Sequence, residues 1–433
     1  MSGVQDFFNA KTFAVVGASR DEKKVGYAVF KNLLESNKKI FPVNQKANKI
    51  LEHKCYKDLL EIPYEIDCVV IAIPSKAVPL ILQHAAKRKV KSAVILTAGF
   101  SEIGDTDLEK RILDIAKENN ILILGPNSYG FIDPHQKLST SYFEGIPKAG
   151  HIAFISQSGA IGSAILDSSQ KLSGFVSVGN SAQLDFSDFI EYYSKDEKTK
   201  VITLYLESLK QEKGKRFIDT CKKCKKPIIV LKSGKSTIGQ KAAQSHTAAL
   251  ACESGIYDGI LKQSKCIQVD SIKQLFAVAK ILEKYPRLGN KTAIITNAGG
   301  LGVLTTDACS NNNIKIPSLS KSLILKLNKF LPVNWSHNNP LDLIGDASSK
   351  NYKKTLELVE KENFDFSIVL LTPQKMTESL LTAKVLIHTK KPVFACFLGG
   401  KQVREAKEFM ARFRIINFID PKEMCDTIGK IIN

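Results

Sequence analysis

No apolar run in the 433-residue sequence approaches the roughly 18–20 residues that a membrane-spanning helix needs. The opening residues, Met1 to Asp6, lack the basic stretch and apolar core of a secretory leader. Both absences point to a soluble, unprocessed, cytoplasmic chain with no membrane partner. Low-complexity tracts are missing apart from Asn311-Asn312-Asn313, and there is neither a short-period repeat nor a coiled-coil heptad. Apolar residues make up 44% and charged residues 24%, an ordinary globular balance that excludes a disordered or fibrous protein. The length leaves room for about three domains of ~150 residues.

Metal-ligand spacing is also missing. Nine cysteines (55, 68, 221, 224, 252, 266, 309, 396 and 425) are scattered along the chain, several in apolar stretches such as Asp67-Cys68-Val69-Val70. They read as small core residues kept reduced. The one close pair, Cys221-Lys-Lys-Cys224, has no second Cys or His pair at ligand spacing and reads as part of a lysine-rich helix face, so no metal site is expected.

Acidic residues are the scarce charge, 43 against 62 lysines and arginines, for a formal net charge of +19. That balance suits polyanions. The lysines nevertheless fall in pairs along the whole chain, without a basic block interleaved with aromatics and without a helix-turn-helix, RRM or KH signature. Nucleic acid is therefore not an expected partner. The charge is left to a phosphate-rich ligand, an acidic partner subunit or lysine-biased usage.

What the sequence does contain is an alternation of short β-branched runs and amphipathic segments, the pattern of βαβ units. In a first block, Thr12–Val16, Lys39–Val43, Cys68–Ile73, Ser92–Thr97 and Ile121–Leu124 read as strands, with helices near 26–36, 77–88 and 106–118. Phe131–Gly150, with two prolines, two glycines and no clear period, reads as a linker. A second block has strands at Ile152–Ile155, Phe175–Val178, Lys200–Leu206, Pro227–Leu231 and Cys266–Val269, and helices at about 160–171, 184–194, 213–223, 252–263 and 271–284. Pro286 to Asn290 punctuates the chain again. Thr292–Thr296 opens a third block, with later strands at Ser367–Leu371 and Val393–Cys396. The expected domains are 1–130, 150–286 and 290–433.

The first strand ends in Gly17-Ala18-Ser19-Arg20, and Gly26 opens the next helix, which places backbone amides and a basic loop before an anionic group. This is not the G-x-G-x-x-G fingerprint. The second strand ends in Asn44 where a dinucleotide binder wants a carboxylate for the ribose, so NAD is disfavoured. Ile73-Pro74-Ser75, Thr97-Ala98-Gly99 and Gly125-Pro126-Asn127 converge by topology on the same carboxyl edge. Singly they are turn residues; together they line one crevice.

Gln157-Ser158-Gly159, after a strand and before an apolar helix, presents a second helix start to an anion, and Asn297-Ala298-Gly299-Gly300 repeats the device. Taken singly, either is as readily an ordinary glycine-rich turn. Residues Ser233 to Ala249 are dense in Gly, Ser, Thr and Ala and carry a single histidine, His246. Its imidazole is a competent nucleophile toward phosphoryl groups, although on the segment alone it reads as readily as a surface histidine without a role. Fully extended, the segment reaches up to ~55 Å. Glu207 lies at the carboxyl end of an expected strand, placed to orient that imidazole through its other nitrogen.

Taken together these motifs resemble the α subunit of NDP-forming acyl-CoA synthetases, most closely the ADP-forming acetate–CoA ligase group and more distantly the α chain of succinyl-CoA synthetase. The resemblance runs through Gly17–Arg20, Pro42–Asn44, Thr97–Glu102, Gly125–Asn127, Ser156–Ala160, Gly179-Asn180, Tyr205–Glu207, Ser245–Thr247 and Asn297–Gly300. It implies a Rossmann-like CoA-binding domain followed by two flavodoxin-like domains with parallel sheets. It places coenzyme A at Gly17, Ala18, Ser19, Arg20, Asn44, Ile73, Pro74, Ser75, Thr97, Ala98, Gly99 and Asn127. It makes His246 the phosphorylated residue and Glu207 its partner, with Gln157, Ser158, Gly159, Gly299 and Gly300 around the phosphoryl group.

The implied reaction is acyl-CoA + ADP + phosphate ⇌ carboxylate + CoA + ATP. Acetyl-CoA is the type substrate. Neither a Walker A motif nor an ATP-grasp module is found, so ADP/ATP with Mg²⁺ is expected on a separate ATP-grasp β subunit, in an α₂β₂ heterotetramer. The competing reading is a non-catalytic CoA-binding or regulatory protein on the same scaffold. Retention of His246 and Glu207 speaks against it.

Overall fold

The structure is a computed structural model that describes residues 3–168, 170–236, 238–239 and 254–432. It divides into two compact units, Met1–Leu275 and Phe276–Asn433.

Within the first unit, the opening sheet comes from short apolar runs, of which Cys68–Ile71 and Ser92–Ile95 are buried along their whole length. The elements are β1 (Thr12–Val16), α1 (Val25–Leu34), β2 (Lys39–Val43), β3 (Cys68–Ile71), α2 (Val78–Lys87), β4 (Ser92–Ile95), α3 (Thr106–Glu118) and β5 (Leu122–Leu124). Their order is β2-β1-β3-β4-β5, every neighbour parallel. Alternate residues of β1 serve opposite cores: Phe13 and Val15 pack with Phe30 and Leu33, while Ala14 and Val16 pack with Ile71 and Leu82. Such two-sided burial is why the strands read as continuous rather than alternating apolar runs. The chain steps from β1 to β2 on one side and then to β3 on the other. That switch point opens a crevice at the carboxyl ends of the strands.

The second sheet of this unit uses β6 (Phe131–Asp133), β7 (Leu138–Ser139), β8 (Ala149–Ser156), β9 (Leu172–Ser177), β10 (Val201–Leu206), β11 (Ile228–Lys232) and β12 (Ile267–Val269). Its helices are α4 (Gly159–Asp167), α5 (Phe186–Lys195), α6 (Gly214–Lys223) and α7 (Ser254–Gln263), and the next helix, α8 (Ile272–Lys284), belongs mostly to the second unit. The order is β12-β11-β10-β8-β9-β6-β7. The first five strands are parallel, and β6 and β7 add an antiparallel edge.

That edge corrects the linker reading of 131–150. Phe131, Ile132 and Leu138 are fully buried, and the Phe131 ring is met edge-on by Phe7 and at a tilt by Phe8. The Asn32 amide of α1 donates to the carbonyls of Ser141 and Phe143 at 2.8 and 2.6 Å. Strands of three and two residues are too short to show a period of two, so their burial is invisible in the sequence pattern.

The second unit repeats the first sheet's topology. Strands β13 (Thr292–Thr296), β14 (Leu341–Asp342), β15 (Phe366–Leu371), β16 (Val393–Phe397) and β17 (Ile416–Phe418) run in the order β14-β13-β15-β16-β17, all parallel. The helices include α9 (Gly299–Ser310), α10 (Lys321–Leu327), α11 (Ser349–Val359), α12 (Ser379–Val385), α13 (Arg404–Arg412) and α14 (Pro421–Ile432). The core of this unit begins inside α8. Ile281 is fully buried in one cluster with Ile294, Cys309, Phe366 and Phe394.

Candidate functional site

At the carboxyl edge of the first sheet the backbone makes contacts no side chain tolerates. Gly17 has φ +92°, and a Cβ there would lie 2.3 Å from the Ala72 carbonyl oxygen. A Cβ on Gly26 would lie 1.9 Å from the Gly17 carbonyl oxygen. The loop is thus pressed between the exit of β3 and the start of α1, and only glycine permits it. No side chain caps the first turn of α1, which leaves its amides for a ligand. Ala18 and Ser19 are buried, whereas Arg20, Lys23 and Lys24 are exposed.

Asn44, at the exit of β2, pins this loop. Its Nδ2 donates to the Ala18 carbonyl at 2.7 Å, and its Oδ1 accepts from the Lys46 amide at 2.7 Å. The next two loops are joined as well. Thr97 Oγ1 donates to the Ile73 carbonyl at 2.7 Å, and a Cβ on Gly99 would lie 3.0 Å from Ser75 Oγ. Pro74 and Ala98 are exposed at the rim. Gly17 to Arg20, Asn44, Ile73 to Ser75 and Thr97 to Gly99 therefore line one edge. Its close backbone and three exposed cations fit the pyrophosphate end of a ligand such as coenzyme A.

A polar cluster joins this edge to the second sheet. Asn180 Nδ2 donates to Glu102 Oε2 at 2.5 Å, Glu109 Oε2 at 3.0 Å and Ser101 Oγ at 3.2 Å. Asn127 Nδ2 donates to Asn180 Oδ1 at 3.3 Å. Glu102 in turn accepts from the Gly99 and Phe100 amides. Burial acts to raise the Glu102 carboxyl, but the hydrogen bonds from Asn180, Gly99 and Phe100 outweigh it and hold it below its ordinary value. Next to Asn180, Gly179 has φ +56°, and a Cβ there would lie 2.3 Å from the Pro126 carbonyl oxygen. Gly179-Asn180 and Glu102 carry no expected role from the sequence beyond their place in the motifs. The available signal was an Asn directly after a glycine at a strand exit.

At the carboxyl edge of the second sheet, β8 leads through Gln157 into α4. Ser158 caps that helix, its side chain accepting from the Ile161 amide at 3.3 Å. Glu207 follows β10, the strand beside β8. Gln157 Oε1 accepts from the amides of Glu207 and Ser208 at 2.9 and 3.0 Å, and its Nε2 donates to Ser208 Oγ at 3.2 Å. The Gln157 amide itself donates to the Tyr205 carbonyl at 3.1 Å. On the other side, the Leu209 amide donates to the Tyr257 hydroxyl at 2.9 Å. Lys232, 7% exposed at the end of β11, stacks its ammonium over the Tyr257 ring at 4.4 Å. Glu207 is thus half-buried on a turn held from both sides. His246 lies outside the described residues.

In the second unit, α9 starts at Gly299 with no side-chain cap, and Gly299 and Gly300 are exposed. Asn297 Oδ1 accepts from the Thr372 amide and its Nδ2 donates to the Thr372 carbonyl, both at 2.9 Å.

The order of these pieces along the chain matches three family models: a CoA binding domain over residues 11–134, a succinyl-CoA ligase like flavodoxin domain over 149–282 and a Ligase-CoA domain over 292–428. A Pyrococcus furiosus protein, acetate–CoA ligase [ADP-forming] II subunit alpha, is 38% identical over 436 residues, covering 96% of this chain and 95% of that protein. The chain belongs to the ADP-forming acetate–CoA ligase family. The Methanocaldococcus jannaschii acetate–CoA ligase [ADP-forming] is 43% identical over 95% of this chain, and the chain spans 60% of that relative's length. A solved structure, the Ca. Korarchaeum cryptofilum dinucleotide forming acetyl-coenzyme A synthetase 1 in complex with phosphate and ADP, superposes with a TM-score of 0.94 at 33% identity, covering 100% of this chain and 96% of that one.

Proposed function

We propose that this chain is the catalytic α subunit of an ADP-forming acyl-CoA synthetase, an acid–thiol ligase working with a separate ATP-grasp β subunit in an α₂β₂ assembly. Two relatives of Pyrococcus furiosus that bear the name subunit alpha are covered over 95% and 97% of their length, which supports the reading of a partnered chain. ADP or ATP with Mg²⁺ belongs to the partner.

CoA lies along the carboxyl edge of the first sheet, its phosphates facing Arg20 and the amides of Gly17 to Ser19, with Asn44, Ile73 to Ser75, Thr97 to Gly99 and Asn127 completing the groove. Phosphate attacks the thioester carbonyl. The C–S bond breaks, CoA leaves as the thiol, and an acyl phosphate remains. A nitrogen of His246 then takes the phosphoryl group and the carboxylate departs. Glu207 accepts a hydrogen bond from the N–H of the other ring nitrogen, which fixes the tautomer that presents the attacking lone pair. Ser158 and Gly159 open α4, and Gly299 and Gly300 open α9; each of these helix starts offers its positive end to phosphoryl charge. The phosphohistidine finally donates to ADP on the partner.

The observation that carries this reading is the single hydrogen-bonded corner that holds the Glu207 turn beside the start of α4. The test is incubation of the chain and its β partner with γ-labelled ATP and Mg²⁺. The expected product is an acid-labile, base-stable label that disappears in His246→Ala and is discharged by CoA plus the carboxylate. A wild type that takes up no label sinks the proposal.

A further inference from the structure

The amide side chains that precede the two glycine-led helices make the same contact in both units. In the first unit β8 pairs with β10 in a register that sets Ser156 opposite Tyr205. Continuing it sets Gln157 opposite Leu206, and the Gln157 carboxamide reaches one residue further to accept the Glu207 amide. In the second unit β13 pairs with β15 in a register that sets Ile295 opposite Val369. Continuing it sets Asn297 opposite Leu371, and its carboxamide again reaches one residue further, to the Thr372 amide. The hydroxyls before the two amides also correspond: Ser156 Oγ donates to the Ser158 carbonyl at 2.7 Å, and Thr296 Oγ1 to the Ala298 carbonyl at 3.1 Å.

Thr372 therefore stands where Glu207 stands. One scaffold has been used twice, with a carboxylate at the clasped position in one copy and a hydroxyl in the other. In the first copy Gln157 commits its backbone N–H, both bonds of its Oε1 and one of its two Nε2 hydrogens to protein. Its amide N–H goes to Tyr205, its Oε1 to two amides and its Nε2 to Ser208 Oγ. A carboxamide engaged at both ends, with its own N–H engaged as well, is built to hold geometry rather than to bind an anion.

We infer that Gln157 is a positioning residue that fixes the Glu207 carboxylate relative to the start of α4, and that it is not a phosphate ligand. The inference deepens the proposed phosphohistidine reading and rests on it. A misplacement of about 1 Å at a reacting centre costs up to ~100-fold in rate. Loss of the clasp therefore lowers the rate of histidine phosphorylation while leaving saturation by phosphate alone.

The experiment is single-turnover phosphoenzyme formation in the complex with the β partner, from acyl-CoA and labelled phosphate, at varied phosphate concentration and pH. It compares wild type, Gln157→Leu, Gln157→Glu, Glu207→Gln and the double variant Gln157→Leu/Glu207→Gln. The expected result for Gln157→Leu is a rate constant lower by about 10- to 100-fold, with half-saturation by phosphate within about twofold and a pH profile displaced like that of Glu207→Gln. The double variant is no slower than Glu207→Gln alone. Gln157→Glu keeps an acceptor for both backbone amides and one for the Ser208 hydroxyl, so it recovers rate relative to Gln157→Leu and serves where the leucine variant fails to fold.

A rise in half-saturation by phosphate at unchanged rate constant makes Gln157 a ligand and overturns the inference. Multiplicative losses in the double variant overturn it too, because the two side chains then act independently. A wild type without label overturns the phosphohistidine reading and this inference together, which separates that failure from the other two.

Discussion

At the scale of single residues, the backbone-on-backbone contact of Gly26 with Gly17 gives a direct prediction. Gly26→Ala forces a methyl into a carbonyl oxygen. It is expected to cost about 1–3 kcal/mol in urea unfolding and to weaken CoA binding in a calorimetric titration. Glu102 gives a pH prediction. Its carboxyl is held below the ordinary glutamate range by its hydrogen bonds in the folded state. Its stabilising contribution is therefore complete above about pH 4.3, the ordinary glutamate value, and is lost as pH falls through the lower folded value. The stability gap between wild type and Glu102→Gln should stay constant from pH 7 to about pH 5 and close below about pH 4. A gap that widens on acidification contradicts the assignment.

The same scale shows what the lysine excess does. Lys226 donates to the carbonyls of Tyr193 and Asp196, Lys213 to those of Ser181 and Gln183, and Lys391 to those of Glu362 and Phe364. Lysine pairs in the sequence look like solvated charge. Which lysine turns inward to cap a carbonyl depends on a partner some 30 residues away in the chain, and nothing local announces it.

At the scale of elements, the parallel strands with long buried runs were legible in the letters. Thr12–Val16, Lys39–Val43 and Thr292–Thr296 have the expected bounds, because short apolar runs that hold β-branched residues between glycine or polar turns have few alternatives. The edge strands Phe131–Asp133 and Leu138–Ser139 were not legible, being shorter than any period. The strand exits that line the candidate site were readable as motifs from their glycines and hydroxyls. The side-chain connections between them were not, since Asn180 to Glu102 and Gln157 to Glu207 join residues 78 and 50 positions apart. For the second clasp, Asn297→Leu leaves the Thr372 amide and carbonyl without their partner at a site where Asn297 is 2% exposed. The expected loss is about 1–3 kcal/mol, with hydrogen exchange at the Thr372 amide accelerated before that of central β15. Unchanged exchange there removes the clasp's structural role.

At the scale of the whole chain, the proline and glycine at 286–289 look like a boundary, yet the core of the second unit reaches back into α8 through Ile281. A fragment of residues 272–433 is therefore expected to give a cooperative thermal transition. A fragment of residues 290–433 leaves the Ile281 site empty and is expected to be less stable by at least the ~2–5 kcal/mol of a large-to-small change at a buried isoleucine. Equal melting of the two fragments refutes this. The placement of α8 also governs how such proteins can be recombined. A graft of the C-terminal module from one relative to another succeeds when the crossover falls upstream of Ile272. A splice at the turn after Pro286, where the letters invite the scissors, separates the transplanted module from a piece of its own interior.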